Sequence, residues 1–235
     1  MAAVPVRFSA ADRREQILDV ATRIFARLGF QGAKTREIAQ RSGVTEALVF
    51  RHFPTKEELY WAVIERKIVA AAAVDRMRET LRSGAPDREV LAAVAAQILE
   101  RRASDQTLSR LLIYSALENH RLSERFFRTY VAECYQVLAG YIRRRVEEGV
   151  FRPVNPVLAA RAFLGMVIYH SWIQELYGAK RYQNFSVQEV SEAFADLWLR
   201  GMLEGPGIAG KAHKTSKARS NSDHRKTEND RNHTK

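Results

Sequence analysis

The stretch that decides the fold runs from residue 35 to residue 53 and reads TREIAQRSGVTEALVFRHF. Its apolar residues fall at helical spacing in two short segments, at about 35–42 and 45–53. The tripeptide SGV at 42–44 provides a turn between them, with Gly43 at its centre. Two short helices joined by such a turn form a helix-turn-helix, whose second helix fits the major groove of duplex DNA. The segment therefore predicts a DNA-binding head.

Helical periodicity continues along the rest of the chain, and no convincing alternating strand pattern occurs. Ser9 and Asp12 predict a capping box for the first helix, which Gly29 is placed to end. Asn155 followed by Pro156 predicts the start of a late helix. Together the start and stop signals predict about nine helices, at 11–28, 35–42, 45–53, 56–81, 86–102, 105–120, 123–148, 156–177 and 186–203. We therefore expect an all-α protein.

Composition limits the possible functions. The 235 residues carry a formal net charge of +11, which favours a polyanionic partner such as nucleic acid. The single cysteine, Cys134, excludes an intrachain disulfide and a cysteine-rich zinc site, in keeping with a reducing cytosol. No signal peptide is visible, and no stretch comes near the ~20 apolar residues of a membrane span. We expect a cytoplasmic protein with no metal, no cofactor and no membrane partner.

The composition changes after GPG at 205–207. Residues 205–235 hold eight Lys/Arg and three Asp/Glu, and no large apolar residue follows Ala212. Such a segment cannot bury enough surface to offset its chain entropy, so we expect it to be disordered. Its lysines could add nonspecific phosphate contacts, and a functionless extension is an equal alternative.

An ordered set of residues resembles the TetR family of transcriptional regulators. It lies within 14–60 and comprises Ile17, Leu18, Ala21, Phe25, GF at 29–30, EIA at 37–39, GVT at 43–45, HF at 52–53 and KEELY at 56–60. A weaker resemblance covers EEGVFRPVNPVLAARAFLGM at 147–166, and 205–235 has no counterpart. The resemblance implies an N-terminal three-helix helix-turn-helix domain at 9–55. It also implies a C-terminal helical bundle for effector binding and dimerisation at 56–204.

The resemblance assigns DNA contacts to ten residues. They are Thr35, Arg36, Thr45, Glu46, Ala47, Leu48, Phe50, Arg51, His52 and Lys56. Thr35 and Arg36 open the supporting helix, where they would contact phosphate or an adjacent base. The residues from Thr45 onward would face base edges and the groove wall. Lys56 would hold a phosphate at the positive N-terminus of the fourth helix.

Four positions depart from the family pattern. Members often carry Lys or Gln where Glu46 stands; this carboxylate repels phosphate but can accept a hydrogen bond from cytosine N4. Leu48 offers only apolar contact, and Phe50 lacks the hydroxyl of a common Tyr. Ala33 replaces a common capping Thr or Ser. These departures leave the operator sequence unpredictable, and for each charged residue the alternative is a solvated surface charge.

The C-terminal domain is rich in aromatic residues at helical spacing, for which core packing is the default. As a group they also suit an apolar cavity with a few polar groups. The residues predicted to line an effector pocket are Tyr114, Ser115, Phe127, Tyr130, Cys134, Phe163, Met166 and His170. Cys134 is expected to be a packed side chain rather than a redox sensor, because no second cysteine can resolve it.

The last two predicted helices carry AARAFLGM at 159–166 and AFADLWLRGM at 193–202. The resemblance implies that they pair with their counterparts across a two-fold axis, and two half-sites on DNA need two heads. The predicted interface residues are Ala159, Ala162, Phe163, Trp198, Leu199 and Met202. The alternative is packing within one subunit.

These features predict a homodimeric transcriptional repressor, released from a palindromic DNA operator by an unknown small apolar or amphipathic effector. The family mechanism implies that the ligand shifts the long fourth helix, and it must prefer the non-binding state. One alternative is an architectural or interaction-type DNA-binding module without an effector. An enzyme has less support, since no glycine-rich phosphate loop or nucleophile elbow occurs. A membrane-surface protein ranks last, because the tail lacks an apolar face.

Overall fold

The computed structural model describes residues 9–118 and 121–203, without the side chains of residues 70 and 71. All regular structure within these ranges is helical. The helices are α1 Ala10–Gly32, α2 Thr35–Arg41, α3 Glu46–His52, α4 Lys56–Ala71, α5 Ala73–Leu81, α6 Asp87–Ser104, α7 Thr107–Leu117, α8 Arg121–Phe126, α9 Ala132–Glu147, α10 Pro156–Glu175 and α11 Val187–Met202. A π-helical turn, Phe127–Val131, joins α8 to α9, and a 3-10 turn, Ala179–Arg181, precedes α11. The predicted disorder of 205–235 lies outside the described residues.

Two of the predicted helices are each divided in the structure. The helix predicted at 56–81 is interrupted at Ala72, whose φ of 43° and ψ of 33° are left-handed. The helix predicted at 123–148 consists of α8, the π-helical turn and α9. Counting each as one bent helix gives the nine predicted helices in the described part of the chain, and the all-α fold is confirmed.

The chain begins and ends its helices largely as the sequence predicts. Ser9 and Asp12 form the expected capping box at the start of α1. The Asn155 side chain caps α10, with Pro156 in its first turn. Gly29 ends the first regular stretch of α1, as the sequence predicts, because its backbone angles are not helical. Helix α1 continues to Gly32, and Gly29 forms a kink within it, with φ 72° and ψ −176°.

Two hydrophobic cores organise the described residues. The first joins α1, α2 and α3 to α4 and α7, and in it Phe25 packs edge-on against Tyr60 at 4.7 Å between ring centroids. The Tyr60 hydroxyl donates to the carbonyl of Leu111 at 2.6 Å. This core therefore extends beyond the predicted domain boundary between 55 and 56. The second core joins α6, α9, α10 and α11, and in it Trp198 packs edge-on against Phe163.

Helix α10 has 20 residues and a mean hydropathy of 1.2, so by length and composition it could cross a membrane. The sequence prediction that no segment comes near this composition was therefore too strict. One such helix is weak evidence, because core helices pass the same test. One face of α10 is buried in the second core, through Ala160, Phe163, Leu164 and Val167.

Candidate nucleic-acid interface and ligand cavity

Helices α2 and α3 form a helix-turn-helix. Gly43, with φ 62°, takes the left-handed conformation that the tight turn requires. The amide of Val44 donates to the carbonyl of Ala39 at 3.0 Å, which closes the turn on α2. Thr45 caps α3, and its hydroxyl accepts from the amide of Leu48 at 3.2 Å. The local sequence thus fixes where α3 begins.

One face of α2 and α3 is buried in the first core, which leaves the other face open. Ile38, Val49 and Phe53 are buried in the first core. Of the ten predicted DNA-contacting residues, five are exposed: Arg36, Thr45, Ala47, Phe50 and Arg51. The other five are half-buried: Thr35, Glu46, Leu48, His52 and Lys56. The buried face therefore holds none of the ten, and α3 presents an accessible surface.

A side-chain hydrogen bond ties the two helices of the motif together. The hydroxyl of Thr35, at the start of α2, donates to the carboxylate of Glu46, at the start of α3. The bond occupies one carboxylate oxygen of Glu46 and adds a cross-link to the apolar packing beneath. It gives Glu46 a positioning role in addition to the base contact that the sequence suggested.

Lys56 lies at the first position of α4, where Thr55 caps the helix. Its Nζ is 4.5 Å from the centroid of the Phe30 ring, within the range of a cation–π contact. Burial lowers the pKa of Lys56, and the carboxylates of Glu57 and Glu118 oppose that shift. The ammonium thus lies beside the Phe30 ring, while the residue remains half-exposed.

A cavity of about 400 Å³ lies between α5, α6, α7, α8, α9 and α10. Its wall is largely apolar and includes Met77, Val94, Ile98, Leu112, Phe126, Leu164, Ile168 and Trp172. Four of the eight predicted pocket residues line it: Ser115, Phe127, Tyr130 and Cys134. Its volume lies in the range typical of small-molecule sites.

The other four predicted pocket residues lie outside this cavity. The Tyr114 hydroxyl donates to the carbonyl of Arg27 at 3.3 Å, on the side of α7 that faces α1. Phe163 is fully buried in the second core, and Met166 packs against the same core. His170 packs against the Phe194 ring at 5.6 Å, and burial lowers its pKa. Residue type suggested an apolar site but not which helix face would form it.

The sequence analysis missed two arginines in the cavity wall. Arg101 and Arg102 lie on the α6 stripe that also carries Val94 and Ile98 into the cavity. Helical spacing of three and four residues relates them to Ile98, and this was the available signal. Because Arg101 and Arg102 end an apolar stripe, they face the cavity, whereas most other charged residues of α6 are exposed to solvent.

Arg102 is held in apolar surroundings. Its Nη1 donates to the hydroxyl of Ser109 at 2.6 Å, while its Nε is buried and has no hydrogen-bond partner among the described residues. Burial, with a smaller effect of neighbouring Arg101, lowers the pKa of Arg102 to about 10. Arg101 donates from Nη1 to the hydroxyl of Tyr130 at 3.2 Å. The described residues contain no group of three or more His, Cys, Asp or Glu that could hold a metal ion.

Two family models match this chain, and they fall on the two parts just described. The model of the bacterial regulatory proteins of the tetR family matches residues 17–63, which include the helix-turn-helix. The model of the C-terminal domain of AefR-like transcriptional repressors matches residues 89–200. The chain belongs to the TetR family of transcriptional regulators.

Relatives of this TetR-family chain include a transcriptional repressor and a nucleoid occlusion factor. The HTH-type transcriptional repressor Rv1474c of Mycobacterium tuberculosis is 34% identical over 161 residues, which cover 67% of this chain and 79% of that protein. The nucleoid occlusion factor SlmA of Vibrio atlanticus is 30% identical over 163 residues, covering 67% of this chain and 81% of that protein. These relatives are regulators and not enzymes.

Among solved structures, the transcriptional regulator FadR of Bacillus subtilis in complex with stearoyl-CoA is similar to this chain. Its TM-score is 0.64 at 20% sequence identity, and the match covers 80% of this chain and 98% of that one. At this identity the likeness shows the shared fold. The prediction of an all-α TetR-type architecture is confirmed.

Helix α7 of this TetR-family fold lies between the cavity and the head. Its residues Leu112 and Ser115 line the cavity. At its C-terminal end, the Glu118 carboxylate accepts hydrogen bonds of 3.2 Å from the backbone amides of Phe30 and Gln31 in α1. Arg110 Nε donates to the carbonyl of Ala26 at 2.8 Å. One helix thus touches both functional parts.

The predicted dimer residues divide between an inward and an outward face of α10 and α11. Phe163, Trp198, Leu199 and Met202 are buried in the second core of their own subunit. The indole Nε1 of Trp198 donates to the carbonyl of Ala159, which is half-buried, at 3.1 Å. Ala162 is exposed. The large apolar side chains thus pack inside their own subunit. The sequence analysis gave this packing as the alternative to a dimer interface.

Proposed function

We propose that this TetR-family chain is a homodimeric repressor that leaves a palindromic operator when a small apolar or amphipathic molecule enters its cavity. The observation that carries the proposal is that the same chain has an accessible α3 and an apolar cavity of about 400 Å³, with α7 lying between the cavity and the head. The repressor Rv1474c, similar over two thirds of this chain, supports the sign of regulation. As a regulator of chromosomal DNA, it would act in the cytoplasm.

The surface of α3 supports DNA binding. Arg36 on α2 and Arg51 on α3 are both exposed, and cationic side chains beside an inserted helix contact phosphates. Ala47 and Phe50 are also exposed, so the base-facing surface of α3 is small and apolar. Contact with thymine methyl groups suits such a surface. We therefore infer that the arginines supply most of the affinity.

The outward face of α10 supports dimerisation. Leu158 and Tyr169 are 60% and 63% exposed, and Ala162 and Gly165 lie between them on the same stripe, at spacings of three or four residues. Leu197 of α11 is 63% exposed. Small residues flanked by large apolar ones let two helices approach closely. We propose this face as the dimer interface. It retains Ala162 from the predicted interface and leaves out Phe163, Trp198, Leu199 and Met202, which are buried within the subunit.

The contacts of α7 support a route from cavity to head. The sequence analysis assigned this role to the long fourth helix predicted at 56–81, which the structure divides into α4 and α5, and α5 lines the cavity through Met77. Among the α4 residues whose side chains the structure describes, none lines the apolar cavity, although Lys67 lines the polar recess beside it. Helix α7 has cavity-lining residues and also holds α1 through Glu118. We propose that a ligand shifts α7, which moves α1 and so changes the separation of the two α3 helices.

The experiment that tests DNA binding is selection of bound fragments from a random DNA pool by the full chain. Symmetric enriched sites with half-site centres one helical turn or a multiple apart are expected. Loss of the dimer by Leu197→Lys should abolish the symmetric sites, while Leu117→Lys, at a 78% exposed position on α7, should keep them. Enrichment of asymmetric sites, or of none, would contradict the proposal.

A second candidate function is an architectural DNA-binding role without an effector. The similarity to SlmA, a nucleoid occlusion factor, favours it. The cavity counts against it, because a domain that needs only to dimerise gains stability by filling such a space. Operator affinity that stays constant across a broad screen of apolar and amphipathic compounds would favour this second function.

A further inference from the structure

A polar recess opens beside the apolar cavity. It has a volume of about 230 Å³ and is lined by Lys67, Arg76, Arg101, Arg102, Asp105, Leu108 and Ser109. Arg76, Arg101, Arg102 and Leu108 also line the apolar cavity, so the two spaces share a wall. The combined site is amphipathic, with one end cationic and the rest apolar.

The carboxylate in the recess is already engaged. Asp105 Oδ2 lies 2.7 Å from Lys67 Nζ, and its other oxygen accepts from the amide of Thr107 at 2.8 Å. Within the described ranges, no carboxylate lies within 4.0 Å of the guanidinium nitrogens of Arg101 or Arg102. Arg101 and Arg102 are both half-buried, and buried arginine charge normally has an anionic partner. The pair therefore has positive charge that the described protein groups leave unneutralised.

The unsatisfied polar atoms of the cavity wall are donors. Arg102 Nε and Trp172 Nε1 are buried and have no hydrogen-bond partner among the described residues. Both residues line the cavity. A buried donor without a partner destabilises the protein, so these atoms favour a ligand that presents acceptor oxygens.

We propose that the ligand of this cavity is an amphipathic anion, with an apolar chain between α6, α7, α9 and α10 and a carboxylate or phosphate headgroup on Arg101 and Arg102. This inference rests on the proposed function in taking the cavity as a ligand site, and adds the sign and position of the ligand's charge. The planar guanidinium fork suits both headgroups, since each offers paired acceptor oxygens. A cationic headgroup would be repelled, and a neutral hydroxyl would be a weaker acceptor that leaves the arginine charge unneutralised.

The test compares four ligands with the same chain and different headgroups. Dodecanoate, dodecyl phosphate, dodecanol and dodecyltrimethylammonium are titrated into the delipidated full-length protein, with calorimetry and tryptophan fluorescence as readouts, because Trp172 lines the cavity. We expect one or both anions to bind about tenfold tighter or more than the alcohol, and the ammonium to bind weakest. The ratio of the two anions distinguishes a carboxylate ligand from a phosphate ligand.

Two variants locate the headgroup. Arg102→Met keeps the volume of the side chain and removes its charge, and should reduce the preference for the anions over dodecanol about tenfold. Arg143→Met, at an exposed position of α9, is the matched control and should leave the preference unchanged. Thermal unfolding of each variant confirms that the protein is folded.

The outcomes separate this inference from the proposed function. Equal binding of dodecanol and the anions, or an anion preference that survives Arg102→Met, would overturn the inference while keeping the cavity as a ligand site. Failure of all four compounds to bind would overturn the inference too. Operator selection by the unliganded chain still tests DNA binding separately.

Discussion

The carboxylate of Glu118, the residue that follows α7, accepts a hydrogen bond of 3.2 Å from the backbone amide of Phe30 in α1. The two residues are 88 positions apart in sequence. The bond connects a helix of the cavity wall to the helix that supports the DNA-binding motif. A second bond, from the amide of Gln31 to the same oxygen, makes this a two-point attachment.

We expect Glu118→Ala to weaken communication between cavity and head. The substitution removes both hydrogen bonds, so a ligand-induced shift of α7 would be transmitted to α1 less completely. The ratio of operator dissociation constants with and without ligand should fall about threefold or more, as measured by fluorescence anisotropy on a selected operator. Glu124→Ala removes an exposed ion pair with Arg128 and is the control. An unchanged ratio in Glu118→Ala would contradict the role of α7.

Gly29 and Gly43 both have positive φ, but their surroundings differ. A Cβ at Gly29 would lie 2.6 Å from Glu118 Oε1 and 2.9 Å from Tyr114 Cδ1, whereas nothing lies within 4 Å at Gly43. Gly29→Ala should therefore lower the free energy of unfolding by about 2–4 kcal/mol, from backbone strain and steric overlap. Gly43→Ala should lose about 1–2 kcal/mol, from strain alone. Urea denaturation measures both, and equal losses would show that α7 does not press on the kink.

Arg51→Ala and Lys56→Ala should weaken DNA binding across operator sequences. Each is expected to reduce the slope of log affinity against log salt by about 1, because each removes one phosphate contact. The half-buried position of Lys56 against Phe30 makes its loss more damaging to the head's stability than the loss of exposed Arg51. Arg143→Ala provides the control for net charge. A retained affinity and slope would remove these residues from the interface.

Arg102→Met should stabilise the unliganded protein. The substitution removes a charge that burial disfavours and an Nε without a described partner, and these gains are partly offset by loss of the hydrogen bond to the Ser109 hydroxyl. We expect a gain of about 1 kcal/mol, which for a domain of this size raises Tm by about 2–4 °C. Arg143→Met should change Tm little. A marked loss of stability in Arg102→Met would mean that the guanidinium serves the fold and not a ligand.

Cys134 should react slowly with alkylating reagents. Burial raises the pKa of its thiol to about 11, although nearby Arg101 opposes the shift. Because the thiolate is the reactive form and its pKa is raised, the rate should increase about tenfold per unit between about pH 8 and pH 10 without levelling off. A free cysteine peptide, with an ordinary pKa near 8.5, should level off in that range. A plateau for the protein below about pH 9 would contradict the buried neutral thiol.

The sequence predicted those features that depend on local chemistry. Capping residues such as Ser9 and Asn155, and the turn at Gly43, mark where helices begin and end, because one or two side chains decide each case. The same logic applies at Gly29, whose positive φ interrupts α1. The sequence did not predict the short segment that continues to Gly32, where the amides of Phe30 and Gln31 donate to Glu118.

The DNA-binding surface could be predicted from the sequence because it depends on one face of a single helix, α3. The exposed surface of α3 follows from the burial of its apolar residues. The cavity depends on how five or more helices meet, so aromatic content could not separate Tyr130, which lines it, from Phe163, which does not. The charges of the cavity were visible only as a stripe on α6 that ends in two arginines.

The left-handed backbone at Ala72 divides what would be one long helix into α4 and α5, which pack against different parts of the molecule. Helix α4 packs in the first core with the DNA-binding head, and α5 carries Met77 into the ligand cavity. If the helix were continuous, any change in the orientation of the cavity wall would also change the orientation of the DNA-binding head. With a joint between them, substitutions that reshape ligand choice can accumulate on α5 while the angle of α3 is conserved. Under the proposed function, the break separates the residues that would select a ligand from those that would position α3 on DNA.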